Sequence, residues 1–414
     1  MITFKKTILS NGLRVLVHED HSTPMAVLNV MYDVGARDEN PDKTGFAHLF
    51  EHLMFGGSVN IPDFDTALEQ VGGENNAFTS NDITNYYIQL PATNLETAFW
   101  LESDRMLNLA FSEKSLEVQR NVVCEEFKQR YINQPYGDVW QHLLPLIYKV
   151  HPYRWSTIGK ELAHIENATM DDVRAFFKKH YNPQNAILVV SGNVSNQEVL
   201  KLAKKYFEPI PKGEKYLRSL PQEPLQVEKR ELHVDSDVPQ DAIYKAYTMP
   251  DKLSPDYYTC DLLSDILSNG KSSRLYSSLV RDKQIFSELN AYVMGSIDPG
   301  LLVISGKPMS HISLAEADAA IEAEIANLIA NPITENELEK VLNKVESTHV
   351  FENMELLNKS INLAFAELLG DANLANQEIE KYRAVEVEQI NTMAYNLFRD
   401  TNSSTLFYHK KNNN

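Results

Sequence analysis

Residues 44–55, TGFAHLFEHLMF, place two histidines four positions apart in an otherwise apolar run. Residues three or four positions apart share one face of an α-helix, so this spacing predicts a helix that presents His48, Glu51 and His52 together. The order H-x-x-E-H is the reverse of the commoner H-E-x-x-H zinc motif. Burying two imidazoles and a carboxylate costs free energy unless they bind something, and a metal ion offsets that cost. The segment therefore predicts a metal site.

A third metal ligand is expected, because catalytic zinc usually takes three protein ligands and leaves one position for water. The best candidate is Glu126, on a predicted helix over 113–131. Its neighbour Glu125 points about 100° away around a helix, so only one of the two carboxylates can face the metal. Cys124 is expected in the core. Zinc is the default ion for two histidines and one glutamate, with manganese and cobalt as alternatives.

The expected chemistry is hydrolysis of a peptide bond with one Zn²⁺ per chain. A zinc ion lowers the pKa of its bound water toward ~7 and polarises a substrate carbonyl. A carboxylate that does not bind the metal can take the proton of the water and pass it to the leaving amine. Glu51 is the residue placed for that role.

Composition limits the class of protein that carries this site. A chain of 414 residues favours two domains of roughly 200 residues each. The net charge of −18 argues against a nucleic-acid partner. Two cysteines, Cys124 and Cys260, cannot form a disulfide framework and indicate a reducing compartment. No segment is apolar enough for a signal peptide or a membrane span, so we expect a cytoplasmic protein with no membrane partner.

Strand and helix patterns alternate in both halves of the chain. Asn11-Gly12 between two strand-like runs predicts a hairpin, an apolar run over 26–35 predicts a central strand, and 74–90 predicts two strands. The ends HYNPQNAILVVSGN and LFRDTNSSTLFYHK correspond loosely and suggest an internal duplication. The expected fold class is α+β, with two homologous domains that each pack a mainly antiparallel sheet with several helices.

A Pro/Lys-rich stretch sets the expected domain boundaries. We expect a zinc-binding catalytic domain over 1–212 and a linker over 213–225. A second homologous domain without a metal site is expected over 226–414.

Six segments resemble, in order, the pitrilysin-type inverzincin peptidases. They are NGLRVLVHED, VGARDEN, GFAHLFEHLMFGG, GGENNAFTSNDITNYY, RNVVCEEFKQR and YNPQNAILVVSGN, which span about the first 210 residues. The second half is similar more loosely, chiefly in GKSSRLYSSLVRDK. Within the family, the chain is similar to the two-domain bacterial members and to the beta subunit of the mitochondrial processing peptidase.

The resemblance implies a set of site residues. The implied zinc ligands are His48, His52 and Glu126. The family pattern thus selects Glu126 over Glu125, and it implies that Glu51 is the general base. It further implies that Asn76 and Ala77 bind the substrate backbone from an edge strand, by β-augmentation. Without the resemblance, the sequence predicts that Asn76 is a turn residue.

Two positions depart from the family pattern. Gln119 stands where many relatives carry an acidic residue, seven positions before the glutamate ligand. Active relatives also carry an Arg followed seven residues later by a Tyr, whereas Arg281 is followed by Glu288, and the next tyrosine is Tyr292. Either the segment is shifted or the Arg/Tyr pair comes from another chain.

The resemblance also implies an assembly and a substrate class. Family members enclose peptides in a chamber of four homologous domains, which implies a second two-domain chain here. The pair is either a homodimer or a heterodimer with a sister subunit that carries the Arg/Tyr pair. The expected activity is endopeptidase cleavage of peptides or unfolded segments inside a closed chamber. The alternative is a non-catalytic scaffold or peptide-binding subunit, against which the intact Glu51 argues.

Overall fold

The computed structural model describes residues 1–411, which form two compact units. The first unit consists of Met1–Gln129, Trp155–Pro221 and Val350–Gln377. The second unit consists of Arg130–Arg154, Gln222–His349 and the chain from Glu378 onward. Each unit contains one β-sheet packed with helices.

The first sheet has six strands. They are β1 (Lys5–Ile8), β2 (Arg14–Glu19), β3 (Met25–Tyr32), β4 (Glu74–Thr79), β5 (Thr84–Pro91) and β6 (Ala186–Gly192). Their order is β1-β2-β6-β3-β5-β4, and only the β2–β6 pair is parallel. The hairpin at Asn11-Gly12 and the central position of β3, both predicted from sequence, are confirmed. Strand β4 forms one edge of the sheet and pairs with β5.

The second sheet repeats this arrangement. Its strands are β7 (Arg230–Ser236), β8 (Ala242–Thr248), β9 (Phe286–Met294), β10 (Leu301–Pro308) and β11 (Ser403–Lys410). Their order is β7-β11-β8-β10-β9, with β7–β11 as the parallel pair. This order matches β2-β6-β3-β5-β4 strand for strand. The fold is therefore α+β with two homologous domains, as predicted.

Fourteen α-helices cover the sheets of the described chain. They are α1 (Phe46–Met54), α2 (Phe64–Glu69), α3 (Leu95–Asn108), α4 (Glu113–Phe127), α5 (Val139–Ile147), α6 (Leu162–Glu166), α7 (Met170–His180), α8 (Asn196–Tyr206), α9 (Asp256–Ser268), α10 (Leu314–Ala330), α11 (Glu335–Glu352), α12 (Leu356–Leu368), α13 (Leu374–Arg383) and α14 (Val387–Leu397). None of the helices in residues 1–411 is both long enough and apolar enough to cross a membrane.

Two of these helices pack on the sheet formed by the other half of the sequence. Helix α5 follows α4 along the chain, yet its Val139 and Leu143 pack with Val303 of the second sheet. Helix α12 comes late in the sequence, yet its Leu363 packs with Met31 of the first sheet. The two compact units are therefore interleaved along the chain, and the sequence domains over 1–212 and 226–414 stay a prediction.

Three segments differ from the sequence-based expectation. The helix expected over 113–131 ends as an α-helix at Phe127 and continues as a π-helical turn over Lys128–Ile132. The sequence also predicts an α-helix over 272–282, and the structure has a π-helical turn there, over Tyr276–Asp282. Helix α13 was not anticipated, because its sequence is mostly polar and Tyr382 is its one buried residue.

Arg218, inside the predicted linker, anchors that segment to the first unit. Its guanidinium donates to the Asp38 carboxylate (2.7 and 3.0 Å) and to a carboxylate oxygen of Asp33 (2.7 Å). These acidic partners keep the pKa of Arg218 above its usual value, although burial opposes the rise. Because Asp38 lies shortly before α1, the same contact restrains the approach to that helix.

Candidate metal centre

Helix α1 begins directly after Gly45, whose backbone is left-handed with φ 85°. A Cβ at this position would lie 2.5 Å from the carbonyl oxygen of Ile158, so the turn requires glycine. Glu39 caps the helix instead of a local side chain: its two carboxylate oxygens accept the N–H groups of Gly45 (2.9 Å) and Ala47 (2.8 Å). Burial raises the pKa of the Glu39 carboxyl to about 8, while these hydrogen bonds oppose the rise.

The apolar face of α1 determines which side chains it presents. Leu49 and Phe50 are almost fully buried, and the Phe50 ring packs against Phe177 and Tyr181. The opposite face carries His48 and His52, whose side chains are 13% and 25% exposed. Two imidazoles are thus held at the boundary between core and solvent, where both an ion and a substrate can reach them.

Helix α4 supplies the carboxylate that faces the two histidines. It packs against α1, and its N-cap is Ser112, whose hydroxyl accepts the N–H of Ser115 at 3.0 Å. Its Glu126 is half-buried, whereas Glu125 is exposed and bonded to Lys128 at 2.8 Å. The geometry therefore brings Glu126, and not Glu125, to the histidines.

The three side chains could hold a metal ion. The Glu126 Oε2 atom lies 3.6 Å from His48 Nε2 and 3.4 Å from His52 Nε2. One ligand atom from each residue lies within 4.8 Å of the other two, and no other group of three within residues 1–411 meets this condition. Ligands bound tetrahedrally at the usual zinc distances lie about 3.3–3.6 Å apart. The donor set and two of its spacings therefore fit a zinc ion.

Glu51 lies on the same turns of α1 and is held by the edge strand. The hydroxyl of Thr79, the last residue of β4, donates to Glu51 Oε2 at 2.5 Å. Asn76 and Ala77 lie on the same strand, and the Ala77 N–H donates to the Asn76 side-chain oxygen at 2.8 Å. The predicted base and the predicted substrate strand are thus in direct contact through Thr79.

A buried polar layer lies beside Glu51. The Tyr86 and Tyr181 hydroxyl groups are 3.0 Å apart, and burial raises the pKa of both phenols, with the Glu51 charge adding to the rise. Arg105, fully buried, is paired with Glu102 and lies 4.5 Å from the centre of the Tyr86 ring. Both phenols therefore stay neutral near pH 7, and the Glu102 carboxylate balances the Arg105 charge.

Several residues singled out from sequence lie outside this group. Cys124 is buried, and burial raises the pKa of its thiol, which disfavours a thiolate ligand. Gln119 is half-buried on α4, two turns before Glu126. In the second unit, Arg281 donates to the neighbouring Asp282 at 2.7 Å with its side chain 58% exposed, and Glu288 lies 3.2 Å from Lys307 on the adjacent strand.

Sequence reasoning missed two residues that support the site, Glu39 and Thr79. Glu39 lies six residues before Gly45, too far for a local capping pattern. Thr79 ends the strand that carries Asn76 and Ala77, but its partner is on a helix 28 residues earlier. One feature of the sequence could have pointed to both residues: they lie in segments that resemble the family, VGARDEN and GGENNAFTSNDITNYY.

Two family models match the chain. One is described as Insulinase (Peptidase family M16) and matches residues 14–159. The other is described as Peptidase M16 inactive domain and matches residues 167–345. The first match contains α1, α4 and β4, which carry every residue of the candidate site.

Individual proteins agree with these matches. The zinc protease PqqE of Helicobacter pylori is 32% identical over 409 residues, which are 96% of this chain and 91% of that protein. The crystal structure of a protease from Helicobacter pylori has a TM-score of 0.91 and 29% identity, with 99% of this chain and 100% of that one covered. Pitrilysin has a TM-score of 0.78 and 18% identity, and the match spans 99% of this chain but 45% of pitrilysin. At that identity the likeness concerns the fold alone.

Proposed function

Because this chain belongs to peptidase family M16, we propose that it is a zinc-dependent endopeptidase in which Glu51 is the general base. The proposed zinc ligands are His48, His52 and Glu126, with one Zn²⁺ per chain. The name zinc protease, which the Helicobacter pylori relative carries, supports the choice of metal. The proposed substrates are peptides and unfolded protein segments.

One observation supports the proposal above the others. Two imidazole nitrogens and a carboxylate oxygen converge within metal-binding distance beside a further carboxylate, Glu51, that is held in place by Thr79. A structural zinc site is usually closed by four ligands and needs no base. Three ligands with a neighbouring carboxylate are the arrangement that metal-assisted hydrolysis requires.

The chemistry divides between the ion and the residues of the chain. A bound zinc ion supplies Lewis-acid polarisation and lowers the pKa of a bound water toward ~7. Glu51 accepts a proton from the attacking water and delivers it to the leaving amine nitrogen, so that the amine departs neutral. The Thr79 hydroxyl donates a hydrogen bond to Oε2 of the Glu51 carboxylate.

The proposed substrate site is the edge strand β4, which has one neighbour, β5, among the described strands. A peptide that adds to this edge forms main-chain hydrogen bonds that tolerate many side chains. We assign Asn76 and Ala77 to this contact. The N–H of Ala77 is bonded to the side chain of Asn76, so an incoming peptide carbonyl takes over that N–H as the Asn76 side chain turns away.

We further propose that two such chains form the working enzyme, enclosing a chamber, as a homodimer or with a sister subunit. The match of this chain to 45% of pitrilysin supports this, as does Glu288 at the position where a tyrosine is expected after Arg281. A cytoplasmic location belongs to the same proposal, because both cysteines are free and buried.

A second candidate function is a non-catalytic scaffold or peptide-binding subunit. The match of residues 167–345 to a model described as an inactive domain favours it. That match does not include the candidate site, all of whose residues lie within residues 14–159, which the other family model matches. The two functions differ in the role of Glu51: the endopeptidase needs it for cleavage, whereas the scaffold does not.

The test compares the wild-type chain with Glu51→Gln on a quenched fluorescent peptide. We expect the wild type to cleave the peptide, to lose activity with a chelator and to recover with added Zn²⁺. We expect the variant to keep its zinc and lose cleavage. Cleavage by a zinc-loaded Glu51→Gln chain would exclude Glu51 as the base. Absence of cleavage by the wild type, alone and with a sister subunit, would favour the scaffold.

A further inference from the structure

The contact between Thr79 and Glu51 joins a strand end to the helix that carries the histidines. The Thr79 hydroxyl donates to Glu51 Oε2 at 2.5 Å, and Thr79 is half-buried. Hydrogen bonds to a carboxylate are shorter and stronger than neutral ones. This contact is therefore strong enough to select one orientation of the Glu51 side chain.

The hairpin turn after Thr79 is fixed by its own hydrogen bonds. The hydroxyl oxygen of Ser80 accepts the N–H groups of Asp82 and Ile83, both at 3.1 Å, and the Ser80 N–H donates to the Ile83 carbonyl at 2.8 Å. Thr79 itself is paired across the hairpin with Thr84. The backbone that carries the Thr79 side chain is thus held on both sides, by the strand pairing and by the turn.

The same turn is tied to the segment that caps α1. The N–H groups of Ala36 and Arg37 donate to the carbonyl oxygens of Ser80 (3.1 Å) and Asn81 (2.9 Å). Three residues after Ala36 comes Glu39, whose carboxylate accepts the first N–H groups of α1. The segment from Ala36 to Glu39 therefore contacts both the turn after β4 and the start of α1.

We propose that Thr79 is a positioning residue that holds the Glu51 carboxylate in a single orientation and links it to the strand on which substrate binds. This inference rests on the proposed function of Glu51. Because Thr79 ends the edge strand, a peptide bound along β4 is placed relative to the same residue that places the base. The bound peptide and the Glu51 carboxylate then keep a fixed position relative to each other. A shift of the end of β4 would also shift the carboxylate.

The test uses three variants of the full chain: Thr79→Val, Thr79→Ser and Thr84→Val. Valine keeps the shape of threonine without its hydroxyl, and serine restores the hydroxyl. Thr84→Val is the matched control, because it removes a buried hydroxyl from the same hairpin that donates to the Val34 carbonyl. We expect Thr79→Val to lower kcat about 10- to 100-fold with unchanged KM and unchanged zinc content, as loss of a supporting hydrogen bond does at metal sites.

The other variants decide whether position or stability is responsible. We expect Thr79→Ser to recover most of kcat, and Thr84→Val to lower the melting temperature while keeping kcat. A Thr79→Val chain with wild-type kcat, or a Thr84→Val chain with the same loss of kcat, overturns the proposal. If the wild type proves inactive or Glu51→Gln active, the proposed function fails separately.

A structural readout does not depend on activity. In crystals of the zinc-loaded chains, we expect one Glu51 orientation in the wild type and in Thr79→Ser, and several orientations in Thr79→Val. A single, unchanged Glu51 orientation in Thr79→Val overturns the positioning role whatever the activity of the protein.

Discussion

Glu39 and Ala47 are joined by a hydrogen bond of 2.8 Å, from the Ala47 N–H to the Glu39 carboxylate, across eight residues of sequence. With the parallel bond from Gly45, it satisfies N–H groups at the start of the helix that carries His48 and His52. The histidines thus owe their position to a residue outside their own helix.

Replacing Glu39 with alanine tests this support. The change leaves buried N–H groups without an acceptor, so we expect the free energy of unfolding to fall by about 1–3 kcal/mol. We expect zinc affinity to fall about 10- to 100-fold, because the histidines lose their fixed position. Urea unfolding and competition with a chelating dye measure the two effects. The exposed Glu117→Ala is the control, and equal results for both variants would contradict the role of Glu39.

The adjacent glutamates Glu126 and Glu125 provide a matched pair for the metal site. Glu126 lies 3.4 Å from His52 Nε2, whereas Glu125 is bonded to Lys128. We expect Glu126→Gln to lower the zinc bound per chain well below one and to abolish peptide cleavage. We expect Glu125→Gln to keep both. Metal analysis of the purified chains checks this, and loss of zinc from Glu125→Gln alone would reverse the assignment.

The Arg218 contacts predict a local effect on the linker segment. Replacing Arg218 with alanine leaves Asp33 and Asp38 without a cation that now donates to both. We expect the free energy of unfolding to fall by about 1.5–3 kcal/mol, the range for hydrogen bonds to charged groups. Limited proteolysis should then cut faster within the linker segment, residues 213–225. Lysine keeps the positive charge but not the forked geometry of the guanidinium. We therefore expect the stability and the cutting rate of Arg218→Lys to lie between those of the wild type and Arg218→Ala. Equal cutting rates in all three proteins would show that Arg218 does not hold the segment.

His180 predicts a dependence of stability on pH. Burial lowers the pKa of His180 to about 3, and the charges of Lys179 and Arg218 add to this. The unfolded chain binds the proton near pH 6.5, whereas the folded chain does not until about pH 3. The contribution of His180 is therefore intact above pH 6.5 and is lost as the pH falls toward 3. At pH 5 the loss is about 2 kcal/mol.

The measurement is urea unfolding of metal-free protein at pH 7 and pH 5, since metal binding requires deprotonated ligands and so itself depends on pH. We expect His180→Phe to reduce the difference in stability between the two pH values by about 2 kcal/mol relative to the wild type. The same difference in both proteins would mean that His180 is not buried in its neutral form.

Local sequence patterns predicted the features that local physics decides. The spacing of His48 and His52 determined that both face one side of α1, and Asn11-Gly12 determined a hairpin. The length and apolar content of 26–35 were sufficient to predict a central strand. In each case the periodicity of the backbone converts spacing in sequence into direction in space.

Some features of the fold depend on tertiary contacts that the sequence pattern does not reveal. An amphipathic pattern shows that α5 and α12 each bury one face, but it does not identify the sheet that receives it. The same holds for Glu39 and Thr79, whose partners are distant or on another element. A polar residue carries no sequence signal for the group that it will meet, so these roles required the fold.

The central claim is that His48, His52 and Glu126 hold one zinc ion, and that Glu51 lies beside the ion without binding it. An anomalous difference map at the zinc absorption edge tests it most directly, on crystals of the chain loaded with one equivalent of Zn²⁺. We expect one peak, about 2.0–2.2 Å from His48 Nε2, His52 Nε2 and a Glu126 oxygen, with Glu51 outside bonding distance. A peak ligated by Glu51 or Cys124, or no peak at this site, would contradict the claim.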